Sequence, residues 1–192
     1  MPTPPPDDEP ARTPHYDTSV MLHTPWFDLL HRVPGKGGAP YYALKPKDYA
    51  SVLAVTAADE VLLVRQFRPA LEQWTWEFPS GTIEDNEDPD AAMARELREE
   101  TGYRPVRLQR LGILQPDSGR LANRLYAYFA EVEPDPQRLS PDPEEWSLRS
   151  TVISRQQFLQ RQAADPLFMA QALHLAVLHV AALRGVYDIL RP

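Results

Sequence analysis

The sequence predicts an α+β protein in which a mixed β-sheet is packed between a few helices, as in an α/β/α sandwich. Most apolar residues fall in runs of strand length, and helical patterns are too few for a doubly wound sheet. A chain of 192 residues, 43% of them hydrophobic and 24% charged, is long enough for one well-cored domain with appendages. These observations set the fold class.

The N-terminal region is predicted to precede the main domain. Six of the first fourteen residues are proline, mixed with acidic residues and threonine. Residues 1–16 are therefore expected to be disordered, because they cannot bury enough apolar surface. Residues 17–47 are predicted to form a β-hairpin extension, with strands at 26–33 and 41–46 around the glycine-rich loop PGKGGAP.

The main domain is assigned to residues 48–192. Its strands are marked by β-branched and aliphatic runs between turn signals. They are predicted at 49–57, 61–67, 74–78, 106–114, 124–132 and 147–153.

Three helices are predicted in this domain. The first begins with Asp88 as N-cap and Pro89 at the first helical position, and Gly102 ends it. The second covers 155–164 and follows an S-x-x-Q capping box. The last is expected to begin at Asp165 and to run to about residue 190.

Composition excludes several classes of partner. A net charge of -7 and a pI near 5.2 argue against a nucleic-acid backbone or an acidic membrane surface. The longest apolar stretch, at 172–183, is too short to span a bilayer. The chain has no cysteine and its N-terminus does not resemble a signal peptide, so we expect a cytoplasmic protein without disulfides.

The first helix carries an unusual concentration of negative charge. Glu96, Glu99 and Glu100 share one helix face, where each like-charge pair costs about 0.2–0.5 kcal/mol. One interpretation is a solvated charged face in which arginines pair with the glutamates. The other is a site for a hard divalent cation such as Mg²⁺ or Mn²⁺, whose preferred ligands are carboxylate oxygens.

The spacing around this helix favours the cation site. Residues 81–103 follow the pattern G-x5-E-x7-R-E-U-x-E-E-x-G-U, where U is apolar, and all seven fixed positions match. The pattern resembles the signature of the Nudix hydrolases, and the strand–loop–helix order around it agrees. The resemblance implies the Nudix fold and a metal-dependent hydrolysis of nucleoside diphosphates linked to another moiety.

The resemblance also implies roles for individual residues. The expected metal ligands are Glu96, Glu99, Glu100 and a backbone carbonyl at the Ser80–Gly81 turn. Glu87 and Arg95 are expected to form a buried pair that fixes the loop against the helix, and Gly102 completes the signature. The expected cofactor is Mg²⁺, with Mn²⁺ as a substitute.

The segment VLLVRQFRPALEQWTWEFPSGTIE, at 61–84, is similar to the ADP-ribose and nucleotide-sugar pyrophosphatase branch of the family. This similarity implies a nucleotide-sugar substrate that is split into a nucleoside monophosphate and a sugar phosphate. It also implies a homodimer formed through the N-terminal extension, with an aromatic residue stacked on the nucleobase. Trp26 is our candidate, with Phe27, Tyr41 and Trp74 as alternatives; each could instead be a core or dimer contact.

Four arginines are candidates for substrate binding. Arg65 and Arg68 could hold a diphosphate, because a guanidinium fork matches phosphate oxygens. A strand-end salt bridge is the alternative. Arg120 and Arg124 follow the signature and are candidates for a terminal phosphate or sugar.

The resemblance to this branch implies a catalytic base in an acidic loop before the last strand. Glu144 and Glu145 are the candidates there, because a carboxylate near a bound water can take its proton. Glu99 is the alternative base, and Glu100 completes the catalytic set.

The exact substrate stays open. Pro116 lies thirteen residues beyond Tyr103, which is displaced from the position typical of ADP-ribose enzymes. GDP-mannose and dinucleoside polyphosphates are therefore alternatives to ADP-ribose. A nucleotide-binding sensor without turnover is a further alternative.

Overall fold

A computed structural model describes residues 15–137, 148–165, 168 and 172–189. Two compact units are present. The smaller contains the described residues up to Pro46 together with Asp117–Ala122, and the larger contains Lys47–Pro116 and the described residues from Asn123 onward. No helix in the described part of the chain is long and apolar enough to cross a membrane.

The smaller unit is built on an antiparallel sheet of three strands in the order β1-β2-β3. They are β1 (Tyr16–His23), β2 (Phe27–Pro34) and β3 (Tyr41–Pro46). The hairpin expected from sequence is β2 and β3. The additional strand β1 was not predicted, and it begins inside the segment expected to be disordered because Tyr16 pairs with Pro34. Residues 1–14 lie outside the described residues.

The larger unit is built on a mixed sheet, as predicted. Its strands are β4 (Tyr49–Thr56), β5 (Glu60–Arg68), β6 (Gln73–Glu77), β7 (Ser80–Thr82), β8 (Tyr103–Leu114), β9 (Leu125–Pro134) and β10 (Arg149–Ser154). The strand order is β10-β5-β4-β9-β8, with β6 paired to β5 and β7 paired to β4. The β4–β9 pair is parallel and the other pairs are antiparallel.

The first two helices begin where the sequence predicts. Helix α1 (Pro89–Thr101) is capped by Asp88, whose carboxylate accepts from two backbone N–H groups at 2.9 and 3.2 Å. It ends at Gly102, whose φ of 71° is the left-handed conformation that glycine adopts without strain. Helix α2 (Arg155–Ala164) carries the predicted capping box.

The third helix is shorter than expected. Helix α3 (Ala172–Leu183) ends well before residue 190. Gly185 has a φ of 63°, and the N–H of Val186 donates to the carbonyl of Ala181 at 3.1 Å. This turn ends the helix, although apolar residues continue in the sequence beyond it.

The sheet of the larger unit has a core on each face. On one face Val52 and Ala54 pack with Met93 and Leu97 of α1. On the other face the intervening residue Leu53 packs with side chains of α2 and α3. This alternation along β4 is the period of two that a strand imposes, and it produces the predicted α/β/α sandwich.

Candidate active site

The turn that follows β6 is fastened to the last turn of α1. The backbone N–H of Ser80 donates to Oε2 of Glu100 at 2.9 Å. The Ser80 hydroxyl lies 2.8 Å from both the carbonyl oxygen of Phe78 and the hydroxyl of Ser51 on β4. The entering turn and the acidic helix therefore form one rigid corner.

Gly81 is required at this corner because the chain approaches Glu96 closely. A Cβ atom added at Gly81 would overlap the carboxyl carbon and both carboxylate oxygens of Glu96. A larger residue at this position would therefore force the end of the buried Glu96 side chain to move. The first glycine of the signature thus has a steric reason.

Arg95 is the centre of the acidic cluster. Its Nε and Nη2 donate to the two oxygens of Glu87 at 2.9 and 3.1 Å, and Nη2 also donates to the carbonyl of Thr82 at 3.1 Å. Its Nη1 donates to Glu96 at 2.8 Å and to Glu99 at 2.9 Å. One guanidinium therefore joins the loop to two of the three clustered carboxylates.

The Glu87–Arg95 pair expected from sequence is present, but it is only partly buried. The side chains are 19% and 33% exposed, respectively. Hydrogen bonds from Arg95 lower the pKa of Glu87, and the hydrogen bond to Glu87 raises the pKa of Arg95. Both groups are therefore charged at neutral pH.

The donor set at this corner fits a hard divalent cation. Glu96 and Glu100 are buried and Glu99 is half-buried, and Glu96 and Glu99 accept hydrogen bonds from Arg95. Carboxylate oxygens are the ligands that Mg²⁺ and Mn²⁺ prefer. Within the described ranges, no three acidic or histidine side chains are arranged so that they could hold a metal ion together. Glu96 and Glu99 instead accept hydrogen bonds from Arg95.

Arg68 is engaged by a buried carboxylate. Its Nε and Nη2 donate to the two oxygens of Glu77 at 2.8 and 2.5 Å. This two-pronged ion pair is the salt bridge that we kept as the alternative for this residue. A diphosphate must compete with Glu77 for these donors.

Arg65 lies on the other face of the sheet from α1. It shares that face with Val61 and Leu63, and its guanidinium stands 5.1 and 5.7 Å from the ring centroids of Trp74 and Trp76. The carboxylates are on α1, which packs against the opposite face. The structure therefore separates Arg65 from the acidic cluster.

Arg124 also has an acidic partner. Arg124 is held by Asp48, with its backbone N–H at 2.7 Å and Nε at 3.1 Å from the two carboxylate oxygens. Arg120 and Trp26 belong to the smaller unit, and both are exposed. Glu144 and Glu145, the candidate bases, lie outside the described residues.

Two polar features of the larger unit were not predicted. The first is Glu77, which begins the stretch EFPSG at 77–81 and was given no role in the sequence analysis. The other links α1 to the sheet: the buried Tyr128 donates to Asp90 at 2.7 Å, and Arg110 bonds to both of them. The sequence does not indicate that these residues are in contact, because they lie up to 38 positions apart along the chain.

Comparison with known proteins agrees with this geometry. A family model described as NUDIX domain matches residues 45–172. The CMP-5'-(N-acetyl-N-hydroxy-3-aminopropyl)phosphonate hydrolase of Streptomyces rubellomurinus is 30% identical over 99 residues, 52% of this chain and 48% of the relative. The ADP-ribose pyrophosphatase of Bacillus subtilis is 36% identical over 81 residues, 42% of this chain and 44% of the relative. The chain thus spans about half the length of these curated relatives.

A solved structure extends the likeness to the whole fold. The "Crystal structure of ADP compounds hydrolase" superposes with a TM-score of 0.73 and covers 92% of this chain and 98% of its own. At 19% identity this likeness supports the fold alone. The family model covers well over half of the chain, and its span includes the turn, the acidic helix and their mutual contacts. The chain therefore belongs to the NUDIX domain family.

Proposed function

We propose that the protein is a metal-dependent hydrolase of nucleoside diphosphate sugars. It would split the pyrophosphate of an ADP-ribose-like substrate into a nucleoside monophosphate and a sugar phosphate. The observation that carries this proposal is the corner at which two of the three clustered carboxylates, Glu96 and Glu100, lie against the Ser80–Gly81 turn. The name of the Bacillus subtilis relative supports the substrate class.

The metal would be held by the carboxylates of Glu96, Glu99 and Glu100 and by a backbone carbonyl at Gly81. When bound, Mg²⁺ or its substitute Mn²⁺ lowers the pKa of water and neutralises charge on phosphoryl oxygens. Arg95 keeps the acidic side chains in place through its hydrogen bonds to the loop and the helix.

Other residues of the chain would bind the substrate and move the proton. Arg68 would steady the diphosphate. Glu144 or Glu145 would accept the proton of the attacking water, with Glu99 as the alternative base. The substrate roles of Arg65, Arg120, Arg124 and Trp26 remain predictions.

A second candidate substrate is a derivative of another nucleoside. The Streptomyces relative is named for a CMP derivative, so the nucleoside differs among similar proteins. GDP-mannose and dinucleoside polyphosphates belong in the same test.

The cytoplasmic location rests on the sequence alone and also stays a prediction.

We also propose a homodimer formed through the smaller unit. Strand β1 is exposed along its whole length, and Val20, Met21 and Leu22 are 54, 59 and 52% exposed. Consecutive apolar residues point to both faces of a strand, so a single sheet cannot bury them all. Sedimentation analysis should show a dimer, and Val20→Asp with Leu22→Asp should give a monomer.

The test of the activity is a hydrolysis panel with identified products. ADP-ribose, GDP-mannose, a CMP derivative and a dinucleoside polyphosphate are incubated with Mg²⁺ or Mn²⁺. We expect turnover of ADP-ribose to AMP and ribose phosphate, and its loss in Glu100→Gln. Wild-type turnover in Glu100→Gln would refute the site, and no turnover of any substrate would refute the activity.

A further inference from the structure

Arg68 is paired with a carboxylate that cannot reach water. The side chain of Glu77 is 1% exposed, although that of Arg68 is 39% exposed. The hydroxyl of Thr75 donates to Glu77 at 2.5 Å in addition to the two bonds from Arg68. A buried carboxylate of this kind is stable only while a cation or several donors stay with it.

A histidine stands on the other side of this carboxylate. His174 of α3 has a side chain that is 4% exposed, and its Nε2 lies 3.8 Å from Oε2 of Glu77. This distance is too long for a hydrogen bond but short enough for electrostatic attraction. Neither ring nitrogen has a hydrogen-bond partner among the described residues, and the ring packs edge-on against Phe78.

An imidazole that is buried without a hydrogen bond lowers the stability of the fold, so its position calls for an explanation. The charged group that faces it is Glu77 of β6, and behind Glu77 lies Arg68 of β5. On its own helix the nearest titratable residue is His179, which is exposed and five positions away. Within the described ranges, Glu77 is therefore the acid that a protonated His174 would meet.

We propose that His174 is a positioning residue for the reaction proposed above, and that it replaces Arg68 as the partner of Glu77 when Arg68 binds the diphosphate. In this step Arg68 turns from Glu77 to the phosphate oxygens, and a proton from solvent enters the imidazole ring. The carboxylate keeps its negative charge and gains a cation in place of the departed guanidinium. Substrate binding and proton uptake are thereby coupled. The inference rests on the proposed function through the role of Arg68.

The carboxylate of Glu77 depends on its partners for its negative charge. Burial alone would raise the pKa of Glu77, but the hydrogen bonds from Arg68 and Thr75, together with the nearby imidazole of His174, outweigh it and lower the pKa to about 2. Since Arg68 supplies the cation beside this buried carboxylate, its departure leaves Glu77 in need of another one, and the ring of His174 lies 3.8 Å away.

The test is calorimetric binding of ADP-ribose in EDTA, where hydrolysis does not interfere. Titrations at pH ~7.5, one unit above the ordinary histidine pKa, are repeated in buffers that differ in their heat of ionisation. The slope of the observed binding heat against the buffer's ionisation heat gives the number of protons taken up. The diphosphate of ADP-ribose is fully ionised in this range, and the protons taken up belong to the protein. We expect wild type to take up a fraction approaching one proton and His174→Gln to take up none.

The matched control is His179→Gln, which changes an exposed histidine of the same helix and should behave as wild type. The affinity of wild type should also weaken by up to about tenfold per pH unit above the histidine pKa, and that of His174→Gln should not. If circular dichroism shows that His174→Gln does not fold, Glu77→Gln is used instead. This variant removes the negative charge that would stabilise a protonated His174, so it should also take up no proton.

The outcomes separate the inference from the proposed function. Proton uptake that persists in His174→Gln would mean that Glu77 itself is protonated, and it overturns the inference. Hydrolysis by wild type without proton uptake on binding overturns the inference and leaves the function standing. Proton uptake on binding without hydrolysis after Mg²⁺ is added overturns the proposed function and leaves the inference standing. Absence of ADP-ribose binding overturns both.

Discussion

Gly81→Ala perturbs the corner with a single methyl group. The new Cβ would overlap the carboxyl carbon and both oxygens of Glu96. Restoring an ordinary separation of about 3.5 Å between carbon atoms requires the Glu96 carboxyl group to move by more than about 1 Å. That carboxyl group is buried and accepts from Nη1 of Arg95 at 2.8 Å, so the movement also strains this bond.

Overpacking of a buried site lowers the free energy of unfolding by about 1–3 kcal/mol. For a chain of this size, that loss lowers Tm by roughly 2–12 °C. The displaced carboxylate should also weaken metal binding, so the rise in Tm on adding Mg²⁺ should shrink. A misplacement of about 1 Å at a reacting centre can cost about 100-fold in rate, and we expect a loss of that order in turnover.

The assay is thermal denaturation with and without Mg²⁺, together with hydrolysis of ADP-ribose. Gly112→Ala is the matched control, because a Cβ added there meets nothing within 4 Å. It should leave the Mg²⁺-induced shift unchanged. If Gly81→Ala retains the wild-type shift and turnover, Glu96 does not need its observed position and the reasoning fails.

Three further predictions concern the supports of the site. Tyr128→Phe should lower the free energy of unfolding in chemical denaturation by about 1 kcal/mol, because it removes one hydrogen bond to Asp90, which keeps its bonds from Arg110, whereas Tyr126→Phe should lower it much less. Asp88→Ala should lower the free energy of unfolding by about 1 kcal/mol in the same measurement, since it removes the N-cap of α1. An unchanged denaturation midpoint would contradict the capping role of Asp88. Glu77 has a pKa of about 2, below its ordinary 4.5, so its stabilising contribution is complete above the ordinary value and is lost as pH falls towards 2. Glu77→Gln should flatten the loss of stability in this acid range, and an unchanged profile would contradict the depressed pKa.

Features governed by neighbouring residues were predictable from the sequence. The cap at Asp88, the stop at Gly102 and the capping box of α2 all depend on backbone groups within four residues. The crowding of Glu96, Glu99 and Glu100 also follows from helix geometry. For this reason the signature and the fold class were predicted correctly.

Other features depended on which surfaces the sheet brought together. Strand β1 exists because it pairs with β2, and Arg65 lies away from the acidic cluster because of its place in the strand alternation. The contact of Glu77 with Arg68 and His174 joins two strands and a helix.

The sequence by itself determined the family, the acidic helix and its caps, because spacing along a helix is a local property. Only the tertiary structure decided which arginine meets which carboxylate, and that a histidine stands beside Glu77. The physical reason is that such contacts join residues up to about a hundred positions apart, and their energies depend on burial that no short stretch of sequence contains.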